Sequence, residues 1–379
     1  MEAKKDLQER LDMLHACVRY EHTYRVPHFS NFWTWKILDS DLHPKLSEAL
    51  ADYGMLDRMQ CEFQERYGFD THYDVLSRNL LKPSSIMGSN HHLINDETES
   101  INFFDHVLME DTEYPEYKTN RWEVSWRMFQ RKYPDLTQGT MAKAIALNME
   151  NANYVPHMQE KLAQVYGCPP CYGPIIQVPH ERFHKYYRGI KAATMDMRRH
   201  KADMIDCYDA IMEDEVMPAL RRALATDTSG CVCDIMEPML AHTMMNQKQW
   251  EVFYWPYMKQ IIDEVQAAGK TIMIFVENSI VRFKDYFQDY PKGVLTLVPE
   301  LDTVQELRAA IPNATVVGGL PSTLLGRGTP EECVDATRKV IEDMGDGFIL
   351  GANKMISFRN DCRRENLLAV CEYVQNFRW

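Results

Sequence analysis

The stretch TIMIFVEN (271–278) packs five apolar residues, Ile272 to Val276, between a threonine and the polar pair Glu277-Asn278. A run this short and continuously apolar reads as a strand buried on both faces, the habit of parallel sheets. The pattern repeats outward from it. CVCDIMEP (231–238), VLTLVPEL (294–301), TVVGGLP (315–321) and GFILGANK (347–354) are further runs, separated by longer amphipathic segments. One such segment, around 247–268, stops at Gly269. Another opens on Thr329-Pro330-Glu331-Glu332 and is expected to run to about Met344, with Thr as cap, Pro at the first helical position and acids in the first turn. Strand-helix units without antiparallel punctuation leave an open doubly wound sheet or a closed eight-stranded barrel. No Gly-x-Gly-x-x-Gly or P-loop sequence follows any of the runs, so an open nucleotide-binding sheet has no support. The expected fold is α/β, a (β/α)8 TIM barrel with its site at the C-terminal ends of the strands.

The N-terminal half is less regular. Strands are expected near 26–33 and 172–179, and helices around 44–66 and 197–225. Residues 1–25 read as an N-terminal helical extension, and 83–136 as an irregular polar insertion capping the barrel mouth. A single domain over 1–379 is the simplest reading, because barrels with insertions exceed ~250 residues. Composition narrows the class: apolar residues at 45% and charged residues at 26% are ordinary for a globular protein, and no apolar run nears the ~20 residues of a membrane span. The opening MEAKKDLQERLDML has no secretory h-region, which leads us to expect a cytoplasmic location. Net charge is −13 without a basic stripe, so nucleic acid is not an expected partner. The ten cysteines, including Cys168-Pro-Pro-Cys171 and Cys231-Val-Cys233, read as free thiols of a reducing compartment. Most of the 23 methionines read as core filling.

GGLPSTLLGRGTPEECVDATRKVIEDMGDGFILGANKMI (318–356), followed by Arg364-Glu365-Asn366-Leu367-Leu368-Ala369, resembles the C-terminal signature of the uroporphyrinogen decarboxylase superfamily. YYRGIKAATMDMRRHKADMID (186–206) resembles that superfamily's Arg-Gly segment, and FYWPYMKQIIDEV (253–265) its central helix. The resemblance covers roughly 170–375 and implies a (β/α)8 barrel with a deep pocket at the strand ends. True decarboxylases carry an Arg-Gln-Ala-Gly-Arg segment that grips substrate carboxylates. Here VPHFSNFWTWKILD (26–39) offers Asn31, Trp33 and Trp35 instead, so a polycarboxylate porphyrinogen would enter unneutralised. The corrinoid methyltransferases of the superfamily hold zinc with a His-x-Cys pair and a later Cys. At those places this chain reads Phe275-Val276-Glu277-Asn278 and Ala352-Asn353-Lys354, which do not make a thiophilic site.

What remains resembles the first methyltransferase of anaerobic O-demethylase systems, which moves a methyl group from a phenyl methyl ether to cob(I)alamin on a separate corrinoid protein. The resemblance implies Glu277, His242 and Lys354 as catalytic residues, with Asn31, Trp33, Trp35, Asn278, Asn353 and His91 binding substrate. His242 would donate a proton to the leaving oxygen or bind metal, and Lys354 would stabilise the phenolate or pair with Glu277. Trp33 and Trp35, two apart, are expected on one side of a strand, where they could stack on an aromatic ring. Zinc stays open, with Glu277 and His242 as its ligands alongside a third group. No Asp-x-His-x-x-Gly loop is visible, which implies that the corrinoid comes on a partner. A decarboxylase or lyase of a small acid is the alternative, and a binding protein without turnover is a third. Oligomeric state is not legible, and a homodimer stays open.

Overall fold

The computed structural model describes residues 2–76 and 81–379. Its centre is a five-stranded parallel sheet of β5 (Ile235–Met239), β6 (Ile272–Val276), β7 (Leu295–Pro299), β8 (Thr315–Leu320) and β9 (Phe348–Ala352), hydrogen-bonded in chain order. The five apolar runs are thus five strands, although the first begins four residues later than CVCDIMEP suggests. Register is continuous across the middle: Ile272 faces both Ile235 and Leu295, and Val276 faces both Met239 and Pro299.

The N-terminal half adds β1 (Phe29–Ser30) and β2 (Thr71–His72), a parallel pair. Single parallel bridges extend the pairing past both edges of the large sheet. His28 meets Leu350 and Phe32 meets Ile356, His72 meets Pro170, and Tyr172 and Ile175 meet Cys233 and Met236. The strand expected near 172–179 is therefore bridges rather than a ladder. Pro169, Pro170, Pro174 and Pro179 supply no N–H, so regular pairing cannot propagate there. The segment still lies close to β5, because a Cβ on Gly173 would stand 2.3 Å from the Asp234 carbonyl oxygen.

Two cores result. Inside the curved sheet, Phe29, Cys171, Cys233, Met273, Phe275, Val298, Val317 and Ile349 pack with Leu14, Cys17 and Val18. The last three come from α1 (Glu2–Val18), which plugs the end where the strands begin; the Val18 carbonyl accepts from Thr315 Oγ1 at 3.0 Å. The expected extension thus ends at Val18 rather than residue 25, and it packs into this core. A larger core fills the space between strands and helices. Helix Pro330–Met344 has the bounds and the Thr329 cap that the sequence announces, with Thr329 Oγ1 accepting from Glu332 N at 3.2 Å. The helix expected over 247–268 is two pieces, Gln247–Phe253 and Trp255–Ala267, because Pro256 starts a new first turn.

The insertion is not irregular. It folds as helix Leu81–Ile86, a hairpin of β3 (His92–Asn95) and β4 (Ser100–Phe103), and helices Tyr114–Thr119 and Arg121–Lys132. The buried Glu113 holds the last of these through Arg127 (2.7 Å) and Arg131 (2.6 Å). Its charge density disguised this order: the polar residues pair with one another across the insertion rather than marking a loop. Leu108 N and Met109 N both donate to Tyr187 O at 2.8 Å, which ties the insertion to the segment following the bridges at 170–176.

Arg25 and Asp70 join the starts of β1 and β2. Both are buried, and two guanidinium contacts of 2.6 and 2.5 Å are joined by His28 N donating to the same carboxylate at 2.8 Å. Removing one member of such a pair strands the other's charge, at a cost of about 3–5 kcal/mol. Asp70→Asn should lower unfolding free energy in urea by that order; a loss below about 1 kcal/mol would mean that the pair does not hold these strands together.

Candidate active site

Side chains alternate along a strand, so each inward residue fixes the direction of the one two places on. Met273 and Phe275 belong to the inner core, and the next inward position is Glu277. By the same step Val298 leads to Glu300, Ile349 to Gly351 and Asn353, and Phe29 to Asn31. Four polar residues thus finish strands that are apolar below them. The backbone keeps Glu277 and Glu300 side by side. Glu277 N donates to Met239 O and Glu300 N to Val276 O, both at 3.1 Å, and Asn278 N donates to the Glu300 carboxylate at 3.0 Å. Asn278 sits at φ 61°, a left-handed conformation that Asn tolerates better than most residues.

Glu277 opens to solvent at the mouth, yet the surrounding protein and then the like charge of Glu300 raise its carboxyl to about 7. Lys185 works in the opposite direction. At neutral pH Glu277 therefore carries its proton about half the time. Asn353 Oδ1 accepts from Ser322 N at 3.1 Å, so its acceptor is engaged. Asn31 is buried, and neither atom of its amide has a hydrogen-bond partner. Beneath these groups lies an aromatic layer: Tyr73 is 5.3 Å from both Tyr172 and Phe275 and 6.4 Å from Phe29, centroid to centroid. Tyr73 and Tyr172 are half-buried.

Several expected site residues lie elsewhere. Lys354 does not pair with Glu277; its ammonium is 2.8 Å from Asp361. Trp33 and Trp35 do not share a side, because the strand ends at Ser30 and a helix begins at Trp35. Trp35 donates to Cys362 O at 3.1 Å and its ring lies tilted against Phe32, while Trp33 packs with Ile37 and Leu46 in a separate core. His91 is in the insertion, stacked on His106 at 3.8 Å. His242 is buried in the turn after β5 rather than solvated. Its ring meets Trp250 and Phe283 edge-on, and Nε2 lies 3.3 Å from Ser279 O. Burial, and then Arg282, hold that imidazole at about 4, so it is neutral near pH 7 and poorly placed as an acid. Among the described residues no group of three or more His, Cys, Asp and Glu side chains is gathered as a metal ion needs, so the residues do not fit zinc on Glu277 and His242.

Other groups were not read from the sequence. Glu181 and Glu237 are both buried behind the end of β5. Glu181 Oε1 accepts from Leu240 N (2.7 Å), Ala241 N (2.8 Å) and Tyr254 OH (2.8 Å), which fixes the turn carrying His242. Burial, then the charge of Glu181, push the Glu237 carboxyl far up, so it stays neutral. Tyr254, on the segment between the two helical pieces, thus serves as a donor to Glu181. Two signals were available: a lone carboxylate inside the apolar strand IMEPM, and His180-Glu181-Arg182-Phe183-His184, a spacing that can hold metal on a regular helix. Here His180 is taken by Tyr208 OH at 2.6 Å, and the chain turns into a π-helix over Phe183–Tyr187. That segment, of a kind frequent at functional sites, carries Lys185, which lies 3.6 Å from Glu181.

With this geometry in hand, comparison with known proteins adds three findings. The family model described as uroporphyrinogen decarboxylase (URO-D) matches residues 188–377. The methylcobamide:CoM methyltransferase MtbA of Methanosarcina acetivorans is 20% identical over 146 residues, which are 38% of this chain and 42% of that protein, so less than half of that relative is spanned. A solved methyltransferase from Methanosarcina mazei superposes with a TM-score of 0.65 at 14% identity, covering 97% of this chain and 98% of that one, a likeness of fold. The matched segment holds β5 to β9 and the carboxylates at their ends, and the chain belongs to the uroporphyrinogen decarboxylase family.

Proposed function

We propose that this chain is a methyltransferase that takes a methyl group from a methoxylated aromatic and delivers it to the cob(I)alamin of a separate corrinoid protein. The observation that carries the reading is the Glu277 carboxyl, raised to about 7 and set at the strand ends above Phe275 and Tyr73. The likeness to a methylcobamide:CoM methyltransferase supports the class of reaction. On this reading the bridges at 28, 32, 72, 170, 172 and 175 complete a (β/α)8 barrel around the site.

A reduced corrinoid on the partner would supply the nucleophile that accepts the methyl group, and Glu277 and Asn278 are open to solvent at the strand ends. The chain's own residues do the rest. Tyr73, Tyr172 and Phe275 give the ring an apolar bed, and the unpartnered amide of Asn31 gives its oxygen substituents a hydrogen-bond partner. As the methyl carbon–oxygen bond breaks, the electron pair stays on oxygen, and Glu277 passes its proton to that oxygen, so a phenol leaves instead of a phenolate. Lys185 then lies near enough to offset the new carboxylate, and solvent returns the proton. His242 and Glu181 shape the turn beside the site, and Lys354 is held away by Asp361.

An anaerobic assay with guaiacol-type ethers and a reduced corrinoid protein, read by methylcobalamin absorbance, should give turnover that declines as pH rises through about 7, because the protonated form of Glu277 is the active one. Glu277→Gln should lower the rate about 10²–10⁴-fold and flatten that limb. Carbon dioxide release from an organic acid without any methyl transfer would contradict the proposal.

Asn31→Leu separates binding from folding. The amide has no partner to lose, so unfolding free energy should be unchanged or higher, while KM for the ether should rise about tenfold, the worth of one hydrogen bond to a bound oxygen. A destabilised protein with unaltered KM would assign Asn31 to the scaffold.

A further inference from the structure

The inner side of the strand ends is divided between two kinds of group. Glu277 and Glu300 finish the neighbouring strands β6 and β7, and Asn31 and Asn353 finish β1 and β9. The bridges His28–Leu350 and Phe32–Ile356, with Ile356 N donating to Asn31 O at 2.9 Å, set β1 beside β9 and so bring the two amides together. In the barrel proposed above β1 follows β9, which places it four strands from β6, on the opposite side of the interior. β8, between the carboxyls and the amides, carries Gly318 and Gly319 near its end, so no side chain stands there at these two positions.

Asn31 is the group that points to a ligand. It is 0% exposed, and neither its amide nitrogen nor its amide oxygen has a partner, a state that calls for something else to satisfy it. Asn353 uses its oxygen on Ser322 N at 3.1 Å, so its nitrogen remains to donate. Both amides suit a hydroxyl, an ether oxygen or a carbonyl, and neither carries charge. No cation makes up for that. None of the inward side chains Asn31, Tyr73, Glu277, Glu300 and Asn353 is Lys, Arg or His. Lys185 faces Glu181 at 3.6 Å and is also opposed by Glu277, Lys354 pairs with Asp361, and Arg282 donates to the carbonyls of Met245 and His242. A ring carboxylate entering here would exchange its water for two neutral amides and meet carboxyls across the pocket, an arrangement by which sites reject a ligand. An uncharged substituent loses far less on leaving water.

We propose that the amides of Asn31 and Asn353, set opposite the carboxyls of Glu277 and Glu300, select uncharged methoxyphenols and exclude methoxybenzoates. The inference rests on the methoxylated-aromatic reading above and narrows it. The ring lies across the interior with its methoxy group at Glu277 and its far substituent at Asn31. The test is isothermal titration calorimetry of the full chain with guaiacol, vanillate and vanillamide, the last having the shape of vanillate without its charge. No corrinoid protein is present, so binding is judged apart from the reaction. Guaiacol and vanillamide should bind, and vanillate should bind about a hundredfold more weakly than vanillamide near about pH 8. That gap should narrow about tenfold toward about pH 6, where Glu277 has gained its proton while vanillate keeps its charge. Glu300→Gln, which removes a charge from the carboxyl wall, should narrow it about tenfold as well. Vanillamide and vanillate binding alike, whether tightly or weakly, would overturn the proposal. A gap indifferent to both pH and Glu300→Gln would overturn it too, since shape rather than charge would then be what the site reads.

Discussion

Neighbouring parallel strands in register hold their terminal side chains about 5 Å apart, and here two of those side chains are carboxylates. Glu277 and Glu300 close β6 and β7 under backbone hydrogen bonds that leave them little choice of position. Burial by the surrounding protein, and then the like charge of Glu300, raise the Glu277 carboxyl to about 7. The apolar and aromatic layers below strengthen the effect by withholding solvent from one side. α1 contributes from a distance, since Leu14, Cys17 and Val18 pack into the same core as Met273 and Phe275.

Much of the fold was legible because parallel strands declare themselves as short apolar runs, and IMIFV, LTLVP and FILGA all became strands near their expected bounds. What failed did so for identifiable reasons. Residues 172–179 read as a strand by apolarity, but prolines remove the donors a ladder requires. The insertion read as loop by polarity, whereas Glu113 turns two arginines into a scaffold for helices. Trp33 and Trp35 failed because alternation needs extended backbone, and the chain has turned into a helix by Trp35.

The site was legible only in part. Glu277 stands out as a carboxylate ending an apolar run, and the same rule applied to VLTLVPEL would have found Glu300. Glu181, Glu237 and Lys185 depend on contacts between a π-helix and the end of β5, and no spacing rule spans that distance in sequence. Lys354 illustrates the reverse: its position at the end of β9 was foreseeable, but its partner Asp361 lies in a turn with no regular pattern.

The proton on Glu277 can be observed directly. In protein carrying 13C-labelled glutamate carboxyls, NMR titration should find Glu277 near 7, and Glu300→Gln should move it down toward the usual carboxylate range. A Glu277 carboxyl that titrates in the usual range with Glu300 intact would contradict the idea that the strand register stores a proton at this site.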